Sequence, residues 1–412
     1  MRRREFLAGA VASNIAAARP ATAFQRKRPR IAALSTTYFL RSHSDDIITR
    51  FLEGYWINDR YFPPPCDIVS LYMDQVHPAD IGYRLSTAYG FPVKKSIAEA
   101  LTLGTGKLAV DGVLLIAEHG EYPFNDKQQQ LYPRFEFHQQ MVDVFRKSGR
   151  AVPVYSDKHF SYDWAKAKQI YAWSQELHYP LMAGSSVSVT FRRPELDFRL
   201  GVEFDDALMV GGGWVSDGGI FHNLETLQCF VERRKGGETG IRAVQHLEGD
   251  AVWKAAEQGR WSKDLLHAAL SRAEKLGPGR PEDVKNPVLC LIEYNDGFHA
   301  ATLSLGGLVN EYLVAFKQKA AFKVKGRGPI DSANCYVPAE NSNNFSPLVD
   351  AIARMFSTGK RSYPVERTLL TTGALEFLME SAYQGHKRVE TPMLNVAYSA
   401  PAESYFAHGR GS

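Results

Sequence analysis

Val110-Asp-Gly-Val-Leu-Leu-Ile-Ala117 is a short, almost wholly apolar run that ends in Glu118-His119-Gly120. Further along, after a helix-like segment, Val152-Pro-Val-Tyr155 is followed by Ser156-Asp157-Lys158-His159. Apolar runs separated by a helical pattern are typical of parallel strands buried on both faces of a sheet. The carboxyl ends of such strands meet at one edge, where open α/β folds bind their ligands. We therefore expect the polar residues that follow these two strands to lie together.

A similar pattern precedes and follows this pair of strands. Arg30-Ile-Ala-Ala-Leu34 leads into Ser35-Thr36-Thr37 and a helix-like segment at 45–55, the order in which a nucleotide-binding βαβ unit opens. Asp67 to Tyr72 predicts a second strand, and Pro180 to Ala183 predicts the last one. These patterns predict an N-terminal Rossmann-like domain, a doubly wound parallel sheet, over residues 28–184.

The pattern changes after Ser185. Val187 to Arg192, Phe298 to Leu305 and Leu313 to Gln318 alternate between apolar and polar residues, which is typical of an antiparallel sheet with one wet face. Helical patterns lie between these segments. We predict a C-terminal α+β domain with a mainly antiparallel sheet over residues 185–412. A chain of 412 residues is also long enough for two domains.

The composition is that of a globular protein, with 44% hydrophobic and 23% charged residues. The formal net charge of +4 would fall to about +1 without residues 1–23, which hold four arginines and one glutamate. Neither a nucleic acid nor an anionic membrane surface is therefore an expected partner. The four cysteines form no C-x-x-C pair, so the sequence does not predict a zinc or iron–sulfur cage. An exported protein can form disulfides, but the spacing of these cysteines does not predict any.

The first residues resemble a twin-arginine export signal. Arg2-Arg-Arg-Glu-Phe-Leu7 precedes a mildly apolar stretch, Ala8 to Ala18, and Ala21-Thr22-Ala23 supplies small residues for cleavage. The alternative is a basic, disordered terminus. The apolar stretch is shorter than the roughly 18 residues that a membrane helix needs. We predict a signal at residues 1–23 and export to the periplasm or the extracellular space, with no membrane partner.

The loop after the first strand lacks the glycines of a dinucleotide site. Ser35-Thr-Thr-Tyr-Phe-Leu-Arg-Ser-His43 stands where G-x-G-x-x-G allows a tight turn and close approach of the backbone to pyrophosphate. If a dinucleotide binds, Ser35 and Thr36 would meet its phosphates. Asp74, after the second strand, would meet its ribose, or else it caps the following turn.

Three segments resemble the glucose–fructose oxidoreductase and inositol dehydrogenase family, known as Gfo/Idh/MocA. Val110 to Ala117 is similar to its strand beside the nicotinamide site, and Ser148 to His159 is similar to its "G-K-H-V…E-K-P" run. Phe221-His222-Asn-Leu-Glu225 is similar to its H-x-x-D helix, and Pro347 to Ile352 with Ser381 to Gly385 is similar to its closing helices. The resemblance implies an oxidoreductase that transfers hydride between NAD or NADP and a carbohydrate or polyol.

The resemblance also implies roles for single residues. Lys158 falls on the lysine that orients the substrate and touches the nicotinamide ribose, and Asp157 replaces the preceding glutamate. His222 falls on the histidine that exchanges a proton with the substrate hydroxyl, and Glu225 falls on the aspartate one turn later. A hydroxyl must lose its proton as hydride leaves its carbon, and a histidine with a pKa near neutral suits that task. Glu118 and His119 would line the cofactor.

Two other functions stay open. Carboxylates and imidazoles at one edge suit a divalent metal, with His119, His159 and His222 as ligands. Such a protein would be a sugar lyase, hydratase or epimerase without a dinucleotide. The third possibility is a binding protein that has lost its chemistry, although such a protein would be expected to have lost Lys158 and His222. The family resemblance further implies a homo-oligomer formed through the C-terminal sheet.

Overall fold

The computed structural model describes residues 28–211, 217–319, 328, 330–338 and 341–409. The predicted signal at residues 1–23 lies outside the described residues. The strands, in chain order, are β1 (Arg30–Ser35), β2 (Tyr55–Ile57), β3 (Arg60–Phe62), β4 (Asp67–Met73), β5 (Val93–Lys94), β6 (Gly112–Ile116), β7 (Val154–Asp157), β8 (Leu181–Gly184), β9 (Phe191–Arg193), β10 (Phe204–Gly211), β11 (Ile241–Glu248), β12 (Val288–Tyr294), β13 (His299–Ser304), β14 (Leu313–Gln318), β15 (Ile330–Tyr336) and β16 (Val389–Glu390).

The α-helices between these strands are, in chain order, α1 (Arg50–Glu53), α2 (Gly82–Tyr89), α3 (Ile97–Thr102), α4 (Arg134–Ser148), α5 (Trp164–Glu176), α6 (Asp217–Val231), α7 (Asp250–Glu257), α8 (Lys263–Leu270), α9 (Phe345–Thr358) and α10 (Val365–Tyr383). A π-helical segment, Asp45–Thr49, leads into α1, so the predicted first helix is present but is wound in two ways. None of the described helices is long and apolar enough to cross a membrane.

The first sheet is fully parallel, with strand order β5-β4-β1-β6-β7-β8. The order reverses between β1 and β6, which is where doubly wound sheets open a crevice for ligands. Alternate residues of β6 pack on opposite faces. Val113 and Leu115 join the core under α3, α4 and α5, while Leu114 and Ile116 join the core under α1 and α9. Burial on both faces explains why this strand reads as a continuous apolar run.

Gly112 at the start of β6 allows α9 to approach the sheet. A Cβ at this position would lie 2.7 Å from the ring of Phe356 and 2.8 Å from Ile31. Both neighbours are buried. Any larger residue would therefore push a core ring aside.

The second sheet has the order β16-β11-β12-β13-β10-β14-β15-β9. Its pairs are antiparallel except for β10 with β13, so the predicted mainly antiparallel sheet is confirmed. The predicted strand from Val187 to Arg192 is wrong in part. Ser186–Val189 forms a 3₁₀-helix whose residues are all buried, and only Phe191–Arg193 pairs as a strand. Burial on every side, rather than on one face, removes the physical basis of the alternation argument.

All four cysteines are free and buried, so no disulfide crosses the fold. The division of the chain at residues 184 and 185 stays a prediction, because α9 and α10 from the C-terminal half both pack against elements of the first sheet.

His138 on α4 provides a test of the packing between this helix and β7. Its Nε2 lies 3.1 Å from the hydroxyl of Ser156, and burial lowers its pKa to about 3. An unfolded histidine has a pKa of about 6.5. Below that pH the unfolded chain binds a proton at this histidine, whereas the folded chain does not. The contribution of neutral His138 to the free energy of unfolding is therefore complete above about pH 6.5 and is lost as the pH falls.

We expect His138→Asn to remove this dependence. Between pH 6 and pH 4, its free energy of unfolding should improve relative to wild type by up to about 1.4 kcal/mol per pH unit. Urea denaturation of both proteins over this pH range measures the difference. A difference that does not change with pH would show that His138 is not held neutral by the fold.

Candidate active site

The carboxyl ends of four neighbouring strands bring most of the predicted site residues to one edge. β1 ends at Ser35, β6 leads into Glu118, β7 ends at Asp157 and β8 ends at Gly184. α6 reaches the same edge, because the ring of His222 is hydrogen-bonded to the residue that follows β8. The predicted convergence at this edge is thus present in the structure.

Glu118 lies between two buried cations. Nζ of Lys158 donates to its Oε1 at 2.8 Å, and the guanidinium of Arg134 donates to its Oε2. The three side chains are between 1% and 10% exposed. Burial alone would raise the pKa of Glu118, but the charges of Lys158 and Arg134 outweigh it and hold the pKa well below its ordinary value. Lys158 therefore lies at this edge with Glu118 as a fixed counter-ion.

Two residues of this edge adopt backbone conformations that favour glycine. Lys158 has φ +57° and His119 has φ +68°. A left-handed conformation at a residue other than glycine costs of order 1–3 kcal/mol and is often found at functional sites. Lys158 adopts this conformation directly after β7, where its side chain donates to Glu118.

His43 and Asp157 form an imidazole–carboxylate pair at the centre of the edge. Nδ1 of His43 lies 2.6 Å from Oδ2 of Asp157, and the carboxylate is buried. A carboxylate on Nδ1 orients the ring and leaves Nε2 for a substrate. The ring centroid of His43 lies 5.3 Å from that of His119 and 6.5 Å from that of His222. His43 is thus surrounded by predicted site residues.

His222 is held through Ser185, which follows β8. Its Nδ1 lies 2.6 Å from the Ser185 hydroxyl, which also accepts the backbone N–H of Val187 at 3.1 Å. Burial lowers the pKa of His222 well below its ordinary value, and the charges of Lys158 and His43 lower it further. The ring is therefore neutral at neutral pH, with Nε2 directed away from Ser185.

Glu225 lies one turn after His222 but does not join it. Its Oε1 accepts the hydroxyl of Thr371 on α10 at 2.7 Å, and its Oε2 accepts the Ser185 backbone N–H at 3.5 Å. Burial raises the pKa of Glu225 in spite of the charge of Arg367. Gly184, at φ +121°, leaves room for this carboxyl group, because a Cβ there would lie 2.6 Å from Oε2. Glu225 therefore ties α6 to α10 and β8, and its contact with the edge is indirect.

The two remaining histidines differ in their surroundings. Nδ1 of His159 donates to the Ser161 carbonyl at 3.1 Å and its Nε2 accepts from Arg134 at 3.2 Å, while burial, then Arg134, lowers its pKa well below the ordinary value. Both ring nitrogens are thus occupied. His119 has a buried Nε2 that finds no hydrogen-bond partner among the described residues, and burial together with His43 lowers its pKa to about 4. A neutral imidazole with one buried nitrogen that no described residue bonds therefore lies at this edge.

The alternative metal ligands His119, His159 and His222 are not gathered into a coordinating set. His159 uses both nitrogens within the protein, as described above. In the described part of the chain, the three-residue set within coordinating distance lies on β11 and after α10 instead. The structure therefore gives this predicted ligand set no support.

The helix start after β1 does not fit the phosphates of a dinucleotide. In the usual pose, free backbone N–H groups there bind the pyrophosphate. Here the Ser42 hydroxyl accepts the N–H groups of Phe39 at 3.2 Å and Asp45 at 3.3 Å, and Asp45 accepts the N–H of Arg41 at 2.8 Å. Asp45 and Asp46 also place two carboxylates in the first turn, where they would repel an anion. The predicted phosphate residues bond internally: the Ser35 hydroxyl lies 2.5 Å from that of Ser44, and the Thr36 hydroxyl donates to the Glu118 carbonyl at 2.8 Å.

The loops after β4 and β6 are joined across the end of β1. Asp74 accepts the hydroxyl of Tyr72 at 2.9 Å and that of Tyr122 at 2.7 Å, so both of its carboxylate oxygens are used. Gln75 accepts the N–H of Glu121 at 2.9 Å and donates to its carbonyl at 3.1 Å. β1 lies between β4 and β6, so these bonds cross the path that a dinucleotide takes over the sheet. The edge does not fit a dinucleotide in the usual pose.

Sequence reasoning missed three residues of the edge. His43 ends the loop that lacks the glycines of a dinucleotide site, and no pattern in the sequence gives Arg134 or Ser185 a role. Arg134 is the first residue of α4 and follows a polar loop, and this position does not predict a contact with Glu118. Only the packing of α4 and α6 against the edge of the sheet shows that Arg134 meets Glu118 and that Ser185 meets His222.

No protein-family model and no curated protein matches the chain. Among solved structures, GenD2 from gentamicin A biosynthesis, in complex with NAD, is 15% identical with a TM-score of 0.50, over 88% of this chain and 96% of GenD2. The apo scyllo-inositol dehydrogenase of Lactobacillus casei is 11% identical with a TM-score of 0.49, over 88% of this chain and 98% of that one. At these identities the likeness concerns the fold. The predicted fold class, a Rossmann-like parallel sheet joined to a mainly antiparallel α+β sheet, is thus confirmed, and the chain is similar in fold to GenD2.

Proposed function

We propose that the chain is an enzyme that moves protons on a hydroxylated small molecule of the carbohydrate or polyol class. The observation that carries this proposal is the His43–Asp157 pair, in which Nδ1 of His43 lies 2.6 Å from Oδ2 of Asp157 and the ring centroid of His43 lies 6.5 Å from that of His222. Two neighbouring imidazoles that meet the same substrate can take a proton at one atom and return one at another. Lys158 adds a fixed positive charge beside them.

The reaction class that this arrangement suits best is redox-neutral, such as a dehydration or an epimerisation. In a dehydration, the neutral imidazole of His222 takes the proton from the carbon next to a carbonyl group and becomes an imidazolium. The neighbouring C–O bond then breaks as a C=C bond forms, and His43, which must begin the step as an imidazolium, gives a proton to the leaving oxygen, which departs as water. Return of a proton from His222 to His43 restores both rings. Lys158 would stabilise the negative charge that forms on the carbonyl oxygen. In this proposal Asp157 and Ser185 orient the two rings, and Glu118 holds Lys158 in place.

Hydride transfer between NAD(P) and a carbohydrate or polyol is the second candidate. It is favoured by the fold shared with the NAD complex of GenD2 and by the placement of Lys158 and His222 at the same edge. In this case the dinucleotide would have to bind without the phosphate site at the start of the first helix and without Asp74. No step of the redox-neutral reaction depends on a dinucleotide.

Deuterium exchange distinguishes the candidates. The protein is incubated in D₂O with a panel of sugars, sugar acids and polyols, with and without added dinucleotide, and followed by proton NMR and by the absorbance of reduced nicotinamide. Exchange at a substrate carbon without dinucleotide supports the first candidate. Turnover only with NAD(P), and no exchange, supports the second. If no compound is turned over and several bind, the protein acts as a binding protein and both candidates are wrong.

We further propose that the chain is exported by the twin-arginine route and assembles through the C-terminal sheet. The basis of the first proposal is the run at residues 2–4 with the small residues at 21–23, and that of the second is the family resemblance. Replacing the three arginines with lysines should keep the protein in the cytoplasmic fraction if the signal is of this type. Light scattering of the purified chain measures the assembly, and a monomeric mass would exclude the oligomer.

A further inference from the structure

A second group of ligating side chains lies on the C-terminal sheet. Nδ1 of His246 lies 3.1 Å from Nδ1 of His386, and Nε2 of His386 lies 3.2 Å from a carboxylate oxygen of Glu248. One possible ligand atom of each of these three residues lies within 4.8 Å of the other two. His246 is buried, His386 is half-buried and Glu248 is exposed, so the group opens to solvent at the carboxylate.

The chain fixes the two histidines before any ligand arrives. His246 and Glu248 are two residues apart on β11 and therefore point to the same face. His386 follows α10 with φ +66°, and its N–H donates to the Ser381 carbonyl at 2.7 Å. Gln245 donates to the His386 carbonyl at 2.7 Å, and Ser381 accepts the His246 N–H at 3.0 Å. Both rings are thus positioned by backbone hydrogen bonds rather than by each other alone.

We propose that His246, His386 and Glu248 form a binding site for a divalent transition metal such as zinc. Two imidazole nitrogens and one carboxylate oxygen are ligands that zinc prefers, and three protein ligands leave one position for water. In tetrahedral zinc sites with Zn–N bonds of about 2.0–2.1 Å, ligand nitrogens lie about 3.3–3.4 Å apart. The separation of 3.1 Å between the two Nδ1 atoms is close to that spacing. Glu248 contacts the other nitrogen of His386, so its exposed side chain would have to rotate toward the two Nδ1 atoms to complete the set.

The same geometry also permits a simple hydrogen bond between the two rings, in which one Nδ1–H donates to the other Nδ1 and Glu248 accepts from His386. That arrangement needs no ion and would bind none specifically. The two possibilities differ in how the protein responds to metal and in which replacements remove that response. The site shares no residue with the edge around His43, so its test is independent of the proposed function.

The full-length protein, dialysed first against a chelator, is titrated with Zn²⁺ by calorimetry. We expect one site per chain and a thermal unfolding midpoint that rises with Zn²⁺ concentration. Co²⁺ added in place of Zn²⁺ should give the visible absorption of a four-coordinate ion. His386→Asn is the first variant, because asparagine tolerates a left-handed backbone. It should weaken Zn²⁺ binding by at least about tenfold and abolish the Co²⁺ absorption, and Glu248→Gln should weaken binding by less.

His408→Asn is the matched control. His408 is an exposed histidine whose Nδ1 lies 2.7 Å from Glu195, a histidine–carboxylate pair outside the set of three. This variant should bind Zn²⁺ as the wild type does. Denaturation without metal shows whether each variant is folded. The proposal is overturned if wild-type protein binds no Zn²⁺, or if folded His386→Asn binds it as tightly as wild type.

Discussion

Glu118→Gln is expected to lower the free energy of unfolding by about 3–5 kcal/mol, the usual cost of removing one partner from a buried ion pair. Glutamine keeps the shape of the side chain but leaves Lys158 and Arg134 without their shared anion in a buried site. Arg134 is 1% exposed at its side chain, so water does not replace the lost charge. Urea denaturation at pH 7 measures the loss.

The pH dependence of the free energy of unfolding provides a second measurement on the same variant. The folded-state pKa of Glu118 is depressed, so its contribution is complete above the unfolded pKa of about 4.3 and is lost as the pH falls below it. The difference between wild type and Glu118→Gln should therefore shrink in acid.

Glu176→Gln is the control for this prediction. Glu176 accepts two hydrogen bonds of 2.9 Å from Arg146, but both side chains are about half exposed. A pair of this kind contributes at most about 1 kcal/mol. Equal losses for the two variants would show that the Glu118 network has no special role in stability.

His43→Asn is expected to reduce kcat/KM for the substrate found by the exchange experiment by about 10²–10⁴-fold, the usual contribution of a general acid or base. The imidazole that Asp157 orients would be gone, while the small polar side chain preserves the start of the helix. Asp157→Asn should cause a smaller loss, because the ring would remain but would no longer be held in one orientation.

Non-additivity is the decisive feature of this prediction. If His43 acts through its pair with Asp157, the double variant should be little worse than His43→Asn alone. His77→Asn is the control, because His77 stacks on Phe39 at 4.1 Å in the same region and has no contact with Asp157 among the described residues. Losses that simply add, or a normal rate for His43→Asn, would refute the assignment.

Much of the fold follows from local pattern. Apolar runs without alternation predicted β1, β6 and β7 as buried parallel strands, and the structure confirms their pairing. The same reasoning placed Asp157 and Lys158 at the carboxyl edge, because the end of a parallel strand fixes the side of the sheet on which its next residues lie. The segment from Val187 failed because alternation predicts a strand only where one face is exposed.

The site was less predictable than the fold because its contacts join distant parts of the chain. His43 and Asp157 are 114 residues apart in sequence, and the residues around one do not predict its contact with the other. Glu225 shows the converse: its spacing from His222 fits one helix face, yet packing against Thr371 directs it toward α10. The missing glycines after β1 were visible in the sequence, but only the structure shows Ser42 and Asp45 taking the N–H groups of that turn.

The four free cysteines determine how conformational change in this protein can be measured by fluorescent labelling. Burial raises the pKa of Cys229 to about 11 and those of Cys66, Cys290 and Cys335 to about 12. Maleimides and other thiol-directed labels react with the thiolate, which is scarce and shielded at all four positions. The native cysteines should therefore react very little with such labels, so that almost all of the label is carried by a cysteine introduced at the surface. One cysteine introduced on the loop after β6 and another on the surface of α9 would carry a fluorophore pair that reports whether the distance between these two elements changes when a ligand binds.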